Sequence, residues 1–136
     1  MKKFILVIAI VLSVMLGACS LTPADRYDNF INDLDAITRL QTGLQQMENG
    51  GLTLYVRADM KTLERELSSL DTPDKEIREI NENFVGTARL LQESMDAVKD
   101  DEDAAHAFLE AAKDSFDEGF LLFSSLETSG GENASE

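Results

Sequence analysis

Sulfhydryl chemistry is almost absent from this sequence. Cys19 is the single cysteine in 136 residues, so no internal disulfide can brace the fold. Basic side chains are scarce as well: 12 Lys and Arg stand against 26 Asp and Glu, a net charge of −14. A surface that acidic repels phosphates, which excludes nucleic-acid binding, and it repels anionic lipid head groups too. Histidine occurs once, at His106. Asp103, His106 and Glu110 share a helical face, but a di-iron bundle site takes two histidines and four carboxylates, so His106 reads as exposed and idle. The acidic run Asp100-Asp101-Glu102-Asp103 has neither the alternating ligands nor the glycine of a calcium loop, and reads as a helix cap. No metal and no cofactor are expected. No G-x-S-x-G, H-E-x-x-H, paired-cysteine or phosphate-loop pattern occurs, and no convergent set of polar groups can be named, so an enzyme is not expected. Strand-like alternation is missing throughout.

Long apolar runs are missing too. The longest covers residues 4–16, thirteen positions with Ser13 as the only polar member. A helix needs about 20 residues to cross a bilayer, so this run has the length of an export-signal core instead. Lys2 and Lys3 precede it, and small Gly17 and Ala18 follow, the order of an export signal.

Leu16-Gly17-Ala18-Cys19 then resembles the lipobox of bacterial lipoproteins. That resemblance implies cleavage between Ala18 and Cys19, a thioether-linked diacylglycerol on Cys19 and further acylation, as by palmitate. It also gives the lone thiol a purpose. The rival reading is a cysteine incidental to an ordinary signal or an uncleaved anchor. Two or three acyl chains hold a protein stably on a membrane, whereas one does not. Ser20, next to the cysteine, resembles the outer-membrane sorting signal of enterobacterial lipoproteins. The expected place is therefore the cell envelope: the outer membrane facing the periplasm in a Gram-negative cell, the outer face of the cell membrane in a Gram-positive one.

On this reading residues 1–18 are a signal peptide, 19–22 a short lipid-anchored tether, 23–127 a helical domain and 128–136 a disordered acidic tail. The 118 residues left are enough for one compact domain. Lys2 and Lys3 leave with the signal, and the net charge becomes −16. Residues 100–136 hold eleven of the acids against one base, Lys113. That concentration is either a solvated helix face and tail or a docking surface for a basic partner or divalent cations.

Four amphipathic helices follow from the spacing. The first is expected over residues 23–48, opened by Thr22 as N-cap and Pro23 as first helical residue. Its stripe runs through Tyr27, Phe30, Leu34, Ile37 and Leu44, with Leu40 rather than Gln41 taking the place where the stripe drifts. Gly50 and Gly51 end it. The second, residues 53–70, carries Val56, Met60, Leu63, Leu67 and Leu70 at the 4-3-4-3 spacing of a bundle seam. The third, residues 73–99, repeats the Thr-Pro start at Thr72-Pro73 and shows Lys75–Glu79, Arg78–Glu82 and Arg89–Glu93 as weak surface pairs. The fourth, from Asp100-Asp101-Glu102-Asp103 to Glu127, places Ala105, Phe108, Leu109, Ala112, Phe116, Gly119, Phe120, Phe123 and Leu126 on one broad face, with Leu121 opposite. Gly43, Gly86 and Gly119 read as packing positions.

The expected fold is all-α, an antiparallel up-down four-helix bundle, with a three-helix bundle as the structural rival. The expected role is non-enzymatic: a lipid-anchored envelope protein acting through an unidentified protein partner. The alternative is a small apolar ligand held in the bundle by the helix-four aromatics. Phe116, Phe120, Leu121 and Phe123 are the candidate partner or ligand face.

Overall fold

The structure, a computed structural model, describes residues 21–50 and 54–133, with side chains as far as Leu126. Leu16, Gly17, Ala18, Cys19 and Ser20 lie outside the described residues. Five helices make up the described chain: α1 (Pro23–Asp33), α2 (Ala36–Glu48), α3 (Leu54–Ser68), α4 (Lys75–Ala97) and α5 (Glu102–Asn133). No strand occurs among the described residues, and the fold is all-α.

The first helix starts where the sequence places it. Thr22 Oγ1 accepts a hydrogen bond from the Asp25 amide at 3.1 Å, and Asp25 Oδ2 accepts one from the Thr22 amide at 3.1 Å. This reciprocal box satisfies two of the donors that a helix N-terminus leaves open, with Pro23 filling the first position.

The expected single helix over residues 23–48 is in fact two. Leu34 remains right-handed, but Asp35 takes φ 51° and ψ 36°, a left-handed conformation that ends α1 and restarts the chain as α2. The reason is phase. The α1 core residues are Tyr27 and Ile31; those of α2 include Ala36, Leu40, Leu44 and Met47. On an unbroken helix Leu40 would lie about 180° round from Ile31, at roughly 100° per residue. One straight helix cannot bury both faces, and the break at Asp35 resolves the conflict. Leu40 is fully buried and Gln41 exposed, as the drift of the stripe implied.

α2 ends at Asn49, with Gly50 at φ 70°. The α3 seam is the expected one as far as Leu67: Val56, Met60, Leu63 and Leu67 are buried, but the helix ends at Ser68 and Leu70 lies half-buried beyond it. The start of α4 differs from the sequence reading. Asp74, not Thr72, is its N-cap, with Asp74 Oδ1 accepting from the Ile77 amide at 3.0 Å. Aspartate caps at least as well as threonine, so the start moves two residues on; Thr72 Oγ1 accepts from the Asp74 amide instead. In the acidic run before α5 the capping role falls to Asp101, whose Oδ1 accepts from the Ala104 amide at 3.0 Å. α5 is 32 residues long and runs past the expected end at Glu127 to Asn133. Thr, Ser and Gly each weaken a helix by no more than about 1 kcal/mol, and propagation is easy once a long helix is nucleated. Residues 134–136 lie outside the described chain.

α3 and α4 run antiparallel, as do α4 and α5. Leu67 meets Asn81 and Arg57 meets Asp96 across α3 and α4; Ser94 meets Ala105 and Asn83 meets Ser115 across α4 and α5. α5 closes back on both halves of the first segment, with Phe123 against Tyr27 and Lys113 against Glu48. Three glycines let the backbones approach. A Cβ on Gly119 would sit 2.9 Å from Asn83 Cβ, one on Gly86 3.2 Å from Ser115 Oγ, and one on Gly43 3.0 Å from Leu91 Cδ1. The packing role read for these glycines follows from those distances.

Candidate functional site

Six of the aromatic residues form one file through the bundle. Phe30 stacks on Tyr27 with ring centroids 6.2 Å apart, and Tyr27 meets Phe123 edge-on at 5.8 Å. Phe123 and then Phe116 contact Phe84, at 6.1 and 6.2 Å. Phe116 finally stacks on Phe120 at 5.8 Å with planes 15° apart. Edge-to-face and offset contacts of this kind add to the apolar burial itself.

The file divides the candidate face. Phe116 and Phe123 are buried and pack on other rings, so they line no groove. Phe120 and Leu121 are exposed, at 42% and 68%. Leu121 points outward as its position off the apolar stripe required. Asp117 and Glu118, four and three residues before Leu121, are exposed on the same turn of α5, and exposed Asp114 lies one turn further back. The one base of the segment, Lys113, is occupied: its Nζ holds Glu48 at 2.6 Å and Glu110 at 2.9 Å. Those carboxylates raise the Lys113 pKa, and Lys113 in turn lowers that of Glu110. Among the described residues no cation pairs with Asp114, Asp117 or Glu118.

Two polar clusters escaped the sequence reading. The hydroxyl of buried Tyr27 donates to Asn81 Oδ1 at 3.2 Å, and Asn81 Nδ2 donates to the Leu67 carbonyl at 2.8 Å, linking α1, α4 and α3. Burial pushes the Tyr27 phenol far above its ordinary range. In the second cluster Arg39 holds Asp59 at 2.6 Å and Glu66 at 2.9 Å, and also donates to the Leu34 carbonyl at 3.1 Å. The first cluster borders a surface cleft through Tyr27. A partial signal existed for the second, since Arg39 is a charge close to the apolar stripe of its helix.

Arg89 reaches across to Glu64 at 2.9 Å rather than to Glu93 along its own helix. His106 is exposed, and among the described residues no three His, Cys, Asp or Glu side chains converge as a metal would need. Every buried side-chain nitrogen and oxygen among the described residues has a partner. A surface cleft of about 510 Å³ opens where α1 begins, walled by Pro23, Tyr27, Leu70, Pro73 and Ile77 with Arg26 beside them. No described helix is long and apolar enough to cross a membrane. Comparison with family models, curated proteins and solved structures returned no match.

Proposed function

We propose that this chain is the precursor of a bacterial lipoprotein, anchored in the cell envelope by a lipid on Cys19 and acting through protein contacts rather than catalysis. Its body, counting α1 and α2 as one broken member, is an up-down four-helix bundle; the antiparallel contacts of α3, α4 and α5 support that description. The capping box at Thr22 begins the first helix three residues after Cys19. At ~3.5 Å per extended residue the body then sits about 10 Å from the lipid surface, on the outer membrane facing the periplasm or the outer face of a Gram-positive membrane.

One observation carries the contact role: where the large apolar side chains go. The core rings are used on each other and the buried polar atoms are satisfied, while Phe120 and Leu121 stay in solvent side by side. A binding surface fits this distribution better than a reaction chamber does.

Cys19→Ala tests the anchor. The expected result is a shift from the membrane to the soluble fraction, or accumulation of the uncleaved precursor. Unchanged fractionation and unchanged mass would defeat the lipid assignment.

The second reading, a small apolar ligand, moves from the helix-four aromatics, which pack on one another, to the surface cleft at Pro23, Tyr27 and Ile77, whose volume falls in the range of ligand pockets. A fluorescent fatty acid that binds saturably, and is lost on Leu70→Asp, would favour it.

A further inference from the structure

The outward side of α5 combines two properties. Phe120 and Leu121 expose apolar area, and Asp114, Asp117 and Glu118 surround it with charge that no cation among the described residues balances. The Phe120 ring is also held in place, stacked on the buried Phe116 at 5.8 Å. An aromatic fixed before contact loses little entropy on binding, and so makes an effective anchor.

Charge decides what can cover this face. A second copy of the chain would bring Asp117 and Glu118 against their own equivalents, and like charges brought together at an interface cost several kcal/mol. An anionic bilayer is repelled for the same reason. What remains complementary is a cationic surface with an apolar spot of its own.

Building on the contact role proposed above, we propose that the Phe120–Leu121 face of α5 docks a basic amphipathic helix, its leucine-type side chains on Phe120 and Leu121 and its lysines or arginines on Asp114, Asp117 and Glu118. Such a helix offers apolar anchors on one stripe and cations on the flanks, the usual form of helix recognition.

The test uses the full-length protein purified with its anchor and a synthetic amphipathic peptide with a leucine stripe flanked by lysines. Affinity is read by fluorescence anisotropy. Any acidic protein attracts a basic peptide, so Leu121→Asp is the deciding variant. It adds negative charge and would strengthen diffuse attraction, yet it removes an anchor, and it should weaken binding about tenfold, equivalent to ~1.4 kcal/mol. The pair Asp117→Lys and Glu118→Lys should weaken it at least as much. The pair Glu76→Lys and Glu79→Lys, exposed on α4 and equal in charge change, should leave affinity within about twofold, beyond the general change in field. Circular dichroism on each variant checks the fold.

Peptide that binds Leu121→Asp as tightly as the parent protein, equal losses in both charge-reversed pairs, or no binding at all overturns the proposal. Photo-crosslinking residues at Leu121 and at exposed Tyr55 in intact cells separate this failure from failure of the contact role. Crosslinks from Tyr55 alone misplace the dock, and none from either site removes the contact role as well.

Discussion

The guanidinium of Arg39 grips the carboxylate of Asp59 with two nitrogens, Nε at 3.1 Å from Oδ1 and Nη2 at 2.6 Å. Its third nitrogen donates to Glu66 and to the carbonyl of Leu34, one residue before the break between α1 and α2. One side chain thus ties the broken first segment to α3, and the Asp59 carboxylate raises its pKa further. At 20% exposure the group sits between surface and core. Arg39→Met should cost about 1–3 kcal/mol in urea unfolding, since it leaves two carboxylates facing each other and a carbonyl without its donor. Arg39→Lys should recover only part, because an ammonium cannot reproduce the planar fork. A loss under about 0.5 kcal/mol for Arg39→Met would reduce the cluster to an ordinary surface pair.

The break itself offers a second measurement. Asp35 holds a left-handed conformation that costs an L-residue with a bulky Cβ about 1–2 kcal/mol. Asp35→Val should therefore destabilise by roughly that amount, while Asp35→Gly should be neutral or slightly stabilising, glycine's extra unfolded-state freedom offsetting much of the relief. If valine were tolerated as well as glycine, residues 34–35 would be helical in solution and α1 and α2 would be continuous.

Much of this fold was legible in local spacing. The α3 seam and the Thr22 box depend on residues within a turn or two of each other, and the three glycines stood out by their positions, although the atoms they pack against lie on other helices. The break at Asp35 was not legible as a break. It carries no glycine or proline, and its only trace is the shift in phase between Ile31 and Leu40. The Arg39 cluster and the Tyr27–Asn81 pair were hidden for another reason: their partners lie 20, 27 and 54 residues away. The candidate face was half legible. Leu121 was off the stripe in the sequence and is exposed, but Phe116, Phe120 and Phe123 share one side of α5. Which of the three reaches solvent depends on how closely the other helices cover that side, which spacing does not encode.

Tyr27 supplies a pH-dependent test. Its phenol is neutral and hydrogen-bonded in the fold, with the pKa raised by burial, while an unfolded tyrosine ionises near 10. The unfolded state therefore sheds a proton first as pH rises. Stability from this group is complete below pH ~10 and declines above it. Tyr27→Phe should remove that part of the alkaline decline. At neutral pH the same variant should cost about 1–2 kcal/mol, because Asn81 Oδ1 loses its donor. Parallel alkaline slopes for the two proteins would mean that the hydroxyl reaches water.

Gly119→Ala separates helix propensity from packing by sign. In an isolated helix the change should stabilise by about 1 kcal/mol. Here the new methyl carbon would lie 2.9 Å from Asn83 Cβ and 3.1 Å from Phe84 Cε1. Asn83 Cβ is fixed to the α4 backbone, and Phe84 is wedged between Phe116 and Phe123, so neither neighbour can yield without moving a helix. Overpacking of this kind costs about 1–3 kcal/mol, and the net should be a loss. The exposed stack of Phe120 on Phe116 would shift with it, so Gly119→Ala should weaken peptide docking as well as lower the melting temperature. A gain in stability would show that α4 and α5 lie further apart than the close contact at Gly119 requires.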